Sequence, residues 1–100
     1  MDNKQYKVIE LTVNNHSGVM SHITGLFSRR GYNLEGILCG RIGTGEQSRM
    51  YLLVEENEQF EQVVKQLSKL YDVLELLILK EVDPQVFSKI EKFVTSKTTI

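Results

Sequence analysis

Residue types that commonly carry out chemistry are scarce in this chain and scattered along it. His16 and His22 are six positions apart, and no Cys, His or Asp residues near them have the spacing of metal ligands or of a catalytic pair. Cys39 is the single cysteine, and in an apolar segment a thiol is typically a small buried hydrophobe rather than a nucleophile. We therefore predict solvated or locally bonded histidines, a buried Cys39, no metal site and no catalytic residue.

The charged residues indicate a solvated surface rather than a reaction centre or a nucleic-acid surface. A group of acids surrounds the predicted start of a helix, where they favour the positive end of the helix dipole: Glu55, Glu56, Glu58 and Glu61. The 12 Lys and Arg residues against 13 Asp and Glu residues give a net charge of -1, which provides no basic field for phosphates. Tyr51 alone lies in the third predicted strand, too few aromatic rings for RNA stacking. We expect no nucleic-acid partner.

One turn, between the first predicted strand and the first predicted helix, has a pattern that suggests binding. Its sequence is Asn15-His16-Ser17-Gly18-Val19-Met20. A helix N-terminus presents unpaired N–H groups, and Gly18 lets a small anion approach the backbone. The amides of Val19 and Met20 are placed to receive a carboxylate, and the Asn15 side chain can accept from an ammonium group. The pattern fits an aliphatic α-amino acid; the alternative is that Ser17 simply caps the helix and Gly18 relieves crowding.

Hydrophobic periodicity predicts the elements that position this turn. Alternating apolar residues over Lys7–Val13 predict a half-buried strand. The helix that follows the turn has residues of one face at helical spacing: Val19, Ile23, Leu26, Phe27 and Arg30. Ser17 is the predicted N-cap of this helix and Gly31 its C′ residue. The turn is therefore expected to join a strand directly to a helix.

The rest of the chain predicts a hairpin, a second helix and a fourth strand. Tyr32–Ile42 and Arg49–Val54 form the hairpin around the turn Gly43–Glu46. Asn57 is the predicted cap of the second helix, whose apolar face is Phe60, Val63, Val64, Leu67 and Leu70. Val73–Leu79 predicts a strand that is mostly buried on both faces. A short third helix opens at Asp83-Pro84, with an apolar face at Val86, Phe87, Ile90, Phe93 and Val94.

This order of elements, βαββαβ with a C-terminal helix, predicts the fold class. It is typical of an α+β, ferredoxin-like domain in which two helices cover one face of a four-stranded antiparallel sheet. We assign residues 1–80 to this domain and residues 81–100 to a C-terminal helix and tail. A chain of 100 residues with 41% hydrophobic residues supports one modest core, so its function is expected to need a second chain.

The ends and the apolar runs predict the cellular compartment. The first five residues have no apolar run behind them, unlike a signal peptide. The longest apolar stretch, Leu76–Leu79, is far shorter than the roughly 20 residues of a membrane span. A single cysteine fits a reducing environment. We expect a cytoplasmic chain with no membrane partner.

Several segments resemble a known family, the small (regulatory) subunits of acetolactate synthase, also called acetohydroxyacid synthase. The specific block is Gly25-Leu26-Phe27-Ser28-Arg29-Arg30-Gly31-Tyr32-Asn33. Segments 10–13, 15–20 and 66–73 are similar to the same family, and the ending from Asp83-Pro84 looks like that of its short form. The resemblance implies an ACT domain, which the family pairs side by side, binding amino acids between protomers.

The resemblance also implies which residues would bind the effector. Residues of the β1–α1 turn of one protomer, Asn15, Ser17, Gly18, Val19 and Met20, would face Asn33 in the second strand of its partner. The glycines at 36 and 40 would suit close packing at that boundary. The expected effector is valine or another branched-chain amino acid.

On this resemblance the chain is expected to be a non-catalytic subunit of branched-chain amino acid biosynthesis. As a homodimer it would bind the catalytic subunit, raise its activity and confer feedback inhibition by valine. Thiamine diphosphate, Mg²⁺ and FAD are expected on the catalytic subunit, and no cofactor on this chain. An alternative hypothesis is a free-standing ACT-domain sensor of amino acids that regulates another enzyme or transcription.

Overall fold

The computed structural model describes residues 5–79, and their elements follow the predicted order. They are β1 (Tyr6–Asn14), α1 (Val19–Arg30), β2 (Leu34–Ile42), β3 (Gln47–Glu55), α2 (Phe60–Ser68) and β4 (Val73–Leu79). The ferredoxin-like βαββαβ prediction is confirmed. The predicted third helix, and with it the division at residue 80, lies outside the described residues and stays a prediction. Neither α1 nor α2 is long and apolar enough to cross a membrane.

The four strands form one antiparallel sheet in the order β2-β3-β1-β4. The central pair, β1 and β3, is in register along its whole length, from Tyr6 opposite Glu55 to Asn14 opposite Gln47. Strands β2 and β4 are the two edges of the sheet, because each has a neighbour on one side only. The pairing of each edge strand contains one irregularity, between Leu34 and Gly36 for β2 and opposite Thr12 and Val13 for β4.

The core lies between the sheet and the two helices. Strand alternation sends every second residue of β1 and β3 toward the helices, and these residues are buried: Ile9, Leu11, Val13, Met50, Leu52 and Val54. The helices contribute Val19, Ile23, Leu26, Phe27, Phe60, Val63 and Leu67 to the same cluster. Burying one such large side chain contributes about 1.5–3 kcal/mol to stability. This cluster holds α1 against the sheet and so fixes where α1 begins.

The C-terminal end of α1 forms as its sequence predicts. Gly31 has a left-handed backbone, with φ of 69°, and its N–H donates to the Ser28 carbonyl at 3.3 Å. The Tyr32 N–H donates to the Phe27 carbonyl at 2.9 Å, which completes a Schellman motif. The Phe27 and Tyr32 rings meet edge to face with centroids 6.2 Å apart, the apolar contact that usually accompanies this motif. Hydrogen bonds and packing together end the helix at Arg30.

Sequence reasoning placed the start of α2 slightly wrongly. Asn57 does bind the backbone, since its Oδ1 accepts the Gln59 N–H at 2.8 Å, but Gln59 is the N-cap. Asn57 therefore forms the turn that precedes the helix.

Two predictions about burial were wrong, and the position of each residue in the sheet explains both. Strand β4, predicted to be buried on both faces, has Leu74, Leu77 and Ile78 exposed. Cys39, predicted to be buried, is exposed in β2. Cys39, Leu74 and Ile78 are exposed because β2 and β4 are edges with a neighbour on one side only. Leu77, opposite Glu10, lies on the face of the sheet away from the helices.

Two leucines on the sheet provide a matched test of this layering. Leu52 is 0% exposed and Leu77 is 46% exposed. We expect Leu52→Ala to lower the free energy of unfolding by about 2–5 kcal/mol, because it leaves a cavity in the core. Leu77→Ala should lower it by less than about 1 kcal/mol. Urea unfolding at one fixed protein concentration measures both; equal losses would show that Leu77 is as buried as Leu52 in solution.

Candidate functional site

The turn between β1 and α1 is held against the hairpin turn that joins β2 to β3. The Asn15 N–H donates to the Glu46 carbonyl at 2.9 Å. The Asn15 side chain donates through Nδ2 to the Gly45 carbonyl at 2.7 Å. Asn15, predicted as a binding residue, thus also fixes the turn. A carboxamide that donates through its nitrogen keeps its oxygen as an acceptor for an ammonium group.

The first residues of α1 show that the predicted Ser17 cap was wrong. Gly18 is the N-cap, and no side chain caps the helix. Gly18 has φ of 94°, a left-handed conformation in which glycine avoids the strain of a Cβ atom, and a Cβ built there has no heavy atom within 4 Å. The space that a side chain at position 18 would occupy is therefore open.

The backbone N–H groups of that first turn are hydrogen-bond donors that a ligand could use. The first helical hydrogen bond runs from His22 N–H to the Gly18 carbonyl at 2.8 Å. The N–H groups of Met20 and Ser21 come before it and have no partner within the helix. Val19 N–H donates to the His16 carbonyl at 3.3 Å, a long bond. Donors at a helix N-terminus favour a carboxylate or another small anion.

His16 is locally bonded, as predicted, and it has a second partner from a distant part of the sequence. Its Nε2 lies 2.8 Å from Oδ1 of Asp72, in the turn between α2 and β4, and its Nδ1 lies 2.8 Å from the Ser17 carbonyl. These contacts, Ser17 first and then Asp72, raise the pKa of His16 above its usual value. The bonds from His16 and then from Asn14 lower the pKa of Asp72. The turn therefore carries an ion pair at its outer side.

The structure brings five of the six predicted site residues together, but not Asn33. Ser17 and Gly18 are exposed, Met20 is 41% exposed, and Val19 is buried in the core behind them. Asn33 precedes β2, which begins at the opposite end of the sheet. Eight residue steps along β2, at about 3.3 Å each, separate its two ends by about 26 Å. Within one chain, Asn33 cannot reach the β1–α1 turn.

Sequence reasoning missed the partners of this turn. Gly45, Glu46 and Asp72 support it, the first two through backbone carbonyls. The βαββαβ order does place all three turns at one end of the sheet, because β1 and β3 run antiparallel and β4 returns beside β1. No local signal in the sequence pairs His16 with Asp72, which lies 56 positions away. Within residues 5–79, no group of three or more His, Cys, Asp or Glu side chains could hold a metal ion.

The fold and this turn define a class of small ligand-binding modules. Residues 9–75 match the family described as an AHAS small subunit-like ACT domain. The ACT domain of a GTP pyrophosphokinase from Chlorobium tepidum has the same fold, with a TM-score of 0.65 at 16% identity over 79% of this chain and 90% of that one. The described domain is an ACT domain.

Relatives of this chain narrow the class to one family. The acetolactate synthase isozyme 1 small subunit of Escherichia coli K12 is 45% identical over 86 residues, covering 86% of this chain and 88% of that one. The acetolactate synthase small subunit of Bacillus subtilis is 46% identical over 72 residues, 70% of this chain but 42% of that longer relative. The small subunit structure from Thermotoga maritima has a TM-score of 0.67 at 26% identity, covering 89% of this chain and 68% of that one. The chain belongs to the acetolactate synthase small-subunit family, so it is a regulatory and not a catalytic subunit.

A substitution can test whether the left-handed backbone conformation of Gly18 favours glycine there. We expect Gly18→Ala to lower the free energy of unfolding by about 1–2 kcal/mol, because alanine is strained at this φ although its Cβ meets nothing. Gly25→Ala is the control, since Gly25 lies inside α1 without a positive φ and its Cβ would meet only the flexible end of the Arg29 side chain, at 3.0 Å. That change should be neutral or stabilise by up to about 1 kcal/mol. Urea unfolding compares them; no loss for Gly18→Ala would contradict the left-handed conformation.

Proposed function

We propose that this chain activates the catalytic subunit of acetolactate synthase and confers feedback inhibition by valine. The observation that carries this proposal is the open, uncapped start of α1 at Gly18 in a small-subunit ACT domain. The complex would act in the cytoplasm, in the synthesis of branched-chain amino acids. Thiamine diphosphate, Mg²⁺ and FAD would be held by the catalytic subunit.

The geometry of the turn supports a zwitterionic ligand. The carboxylate would accept hydrogen bonds from the backbone N–H groups at the start of α1, next to Gly18, where no Cβ blocks its approach. The ammonium group would donate to the Asn15 side-chain oxygen, which remains available as an acceptor because the bond to Gly45 uses the side-chain nitrogen. The exposed side chain of Met20 offers an apolar contact for an aliphatic side chain.

The missing half of this site is best supplied by a second copy of the chain. If the β2 edges of two protomers pair antiparallel about a two-fold axis, the start of one β2 lies beside the end of the other. Asn33 of the partner subunit would then approach the β1–α1 turn, which sits at the end of β2 in its own chain. A cavity of about 360 Å³ runs along this edge, lined mainly by Leu38–Ile42 with Arg49 and Tyr51. An open apolar edge groove supports pairing there.

A shared site explains how a small ligand could regulate a large partner. An effector that binds between protomers favours one arrangement of the dimer over another. Allosteric couplings of this kind are typically about 1–3 kcal/mol. The catalytic subunit would respond to that arrangement, since it would bind the dimer rather than the ligand.

A charged substitution at the turn tests the effector site. We expect Gly18→Asp to raise the valine concentration for half inhibition by about tenfold or more, because its carboxylate repels that of the ligand. Activation of the catalytic subunit should be retained. The measurement is acetolactate formation by the reconstituted two-subunit enzyme, titrated with valine, leucine and isoleucine in turn.

Gly18→Asn is the matched control for that charge. Asparagine has the size of aspartate and tolerates a positive φ similarly, but it is neutral. It should keep more of the valine sensitivity than Gly18→Asp does. Equal insensitivity of both variants would show that bulk rather than charge matters. Loss of activation together with unfolding would contradict the effector role and assign Gly18 a purely structural one.

The single cysteine allows a direct test of the β2 pairing. A spin label on Cys39 should give an intersubunit distance of about 10–20 Å if the β2 edges meet, because Cys39 lies near the middle of that strand. The control places the label at β4, with Leu77→Cys in a Cys39→Ser background. Three strand spacings separate β2 from β4 in each protomer, and one more separates the two paired β2 strands. The two β4 labels are therefore seven spacings apart, which gives about 35 Å. A shorter distance at Leu77 than at Cys39 would assign the interface to β4 instead.

A further inference from the structure

We propose that Asp72 and a doubly protonated His16 form a latch that holds the β1–α1 turn in its binding conformation and releases it as pH rises. The latch consists of His16, Asp72 and Asn14. This inference rests on the proposed function, since it concerns the same turn. It assigns a positioning role to two side chains that the family resemblance did not include among the effector-binding residues.

The protonation state of His16 follows from its two hydrogen-bond partners. Nδ1 lies 2.8 Å from the Ser17 carbonyl, which can only accept, so Nδ1 carries a hydrogen. Nε2 lies 2.8 Å from the Asp72 carboxylate, which also accepts when ionised, so Nε2 carries a hydrogen as well. Neutral imidazole has one N–H and cannot make both bonds. Only the imidazolium ion can therefore make both bonds at once.

Asp72 is fixed firmly enough to act as the anchor. Its backbone carbonyl accepts the Asn14 N–H at 3.0 Å, and its Oδ1 accepts from Asn14 Nδ2 at 3.2 Å. Its side chain is 13% exposed, whereas that of His16 is 55% exposed. The carboxylate is thus tied to the last residue of β1, and the imidazolium bridges it to the backbone of Ser17, one residue before Gly18.

The charged and titratable groups around His16 favour this state. The α2–β4 turn contributes Asp72, which bonds to His16, and α1 contributes His22, which acts on Asp72. Asp72 stabilises the positive charge of His16, and a charged His22 also helps to keep Asp72 ionised. The raised pKa of His16 and the lowered pKa of Asp72 agree with this arrangement.

The direction of the pH effect follows from these two shifts. A group whose pKa is raised on folding stabilises the folded state fully at pH values below its unfolded pKa. This stabilisation disappears as pH rises through its folded pKa. The Asp72 contribution disappears at the acidic end, as pH falls through its lowered pKa. The latch is therefore complete between ordinary carboxyl and imidazole pKa values, about 4 to 6.5, and opens as pH rises through the raised pKa of His16. Opening frees the Ser17 carbonyl and removes a positive charge beside the carboxylate-binding amides.

Calorimetry of the full chain with L-valine tests the latch at about pH 5.5 and about pH 8.5. We expect the dissociation constant of the unmodified chain to be about two- to fivefold larger at the higher pH, the range of an exposed ion pair. His16→Gln keeps one N–H donor but cannot ionise, so its affinity should not change with pH. His22→Gln, the matched control on α1, should retain a pH dependence in the same direction, because it leaves both hydrogen bonds of His16 in place.

A second readout does not depend on the ligand. The pKa of His16, followed by NMR titration of its ring protons, should fall toward its ordinary value in Asp72→Asn, because the bond to Asp72 is one of the contacts that raise it. No valine binding by the unmodified chain at either pH would contradict the proposed effector site itself. Binding that is independent of pH, or pH dependence that persists in His16→Gln, would contradict the latch alone. If Asp72→Asn does not fold, the comparison of His16→Gln with His22→Gln still decides between these outcomes.

Discussion

The continuous pairing of β1 with β3 is the constraint on which the rest of the structure depends. Nine residue pairs in unbroken register fix which residues face the helices and bring the end of β1 beside the start of β3. The β1–α1 turn therefore lies against the β2–β3 turn, where Asn15 can bind Gly45 and Glu46. The same register sends the start of β2 to the far end of the sheet, and with it Asn33. One pairing thus positions the β1–α1 turn and separates it, within one chain, from Asn33.

Sequence reasoning succeeded where the decisive contacts are local. The end of α1 could be predicted because Gly31 and Tyr32 complete a motif within six residues of Phe27. It failed at the start of the same helix, where the backbone of Gly18 rather than the Ser17 hydroxyl forms the boundary. It also failed for burial in edge strands, because the order of strands in a sheet is not encoded in the alternation of any single strand.

The candidate site shows the same division between local and distant information. The open helix start at Gly18 was predictable from residue types, since glycine and a strand-to-helix turn are local features. The bridge from His16 to Asp72 was not, because it depends on β4 returning beside β1. Supporting contacts of this kind join turns that are far apart in sequence, and a loop is positioned through them more than by its own residues. Residues that orient a site are for this reason harder to predict than those that line it.

A site divided between two protomers makes the effector response a property of the assembly. The core of one chain is already complete, with Ile9, Leu11 and Leu52 fully buried, so a ligand has little to reorganise there. A ligand that needs both the turn of one protomer and Asn33 of the partner subunit stabilises only the pair, by mass action. Linkage is reciprocal, so if the ligand strengthens the pairing of the β2 edges by some factor, pairing strengthens ligand binding by the same factor. In the proposed complex, regulation therefore acts through the contact between edge strands and leaves the fold of each chain unchanged.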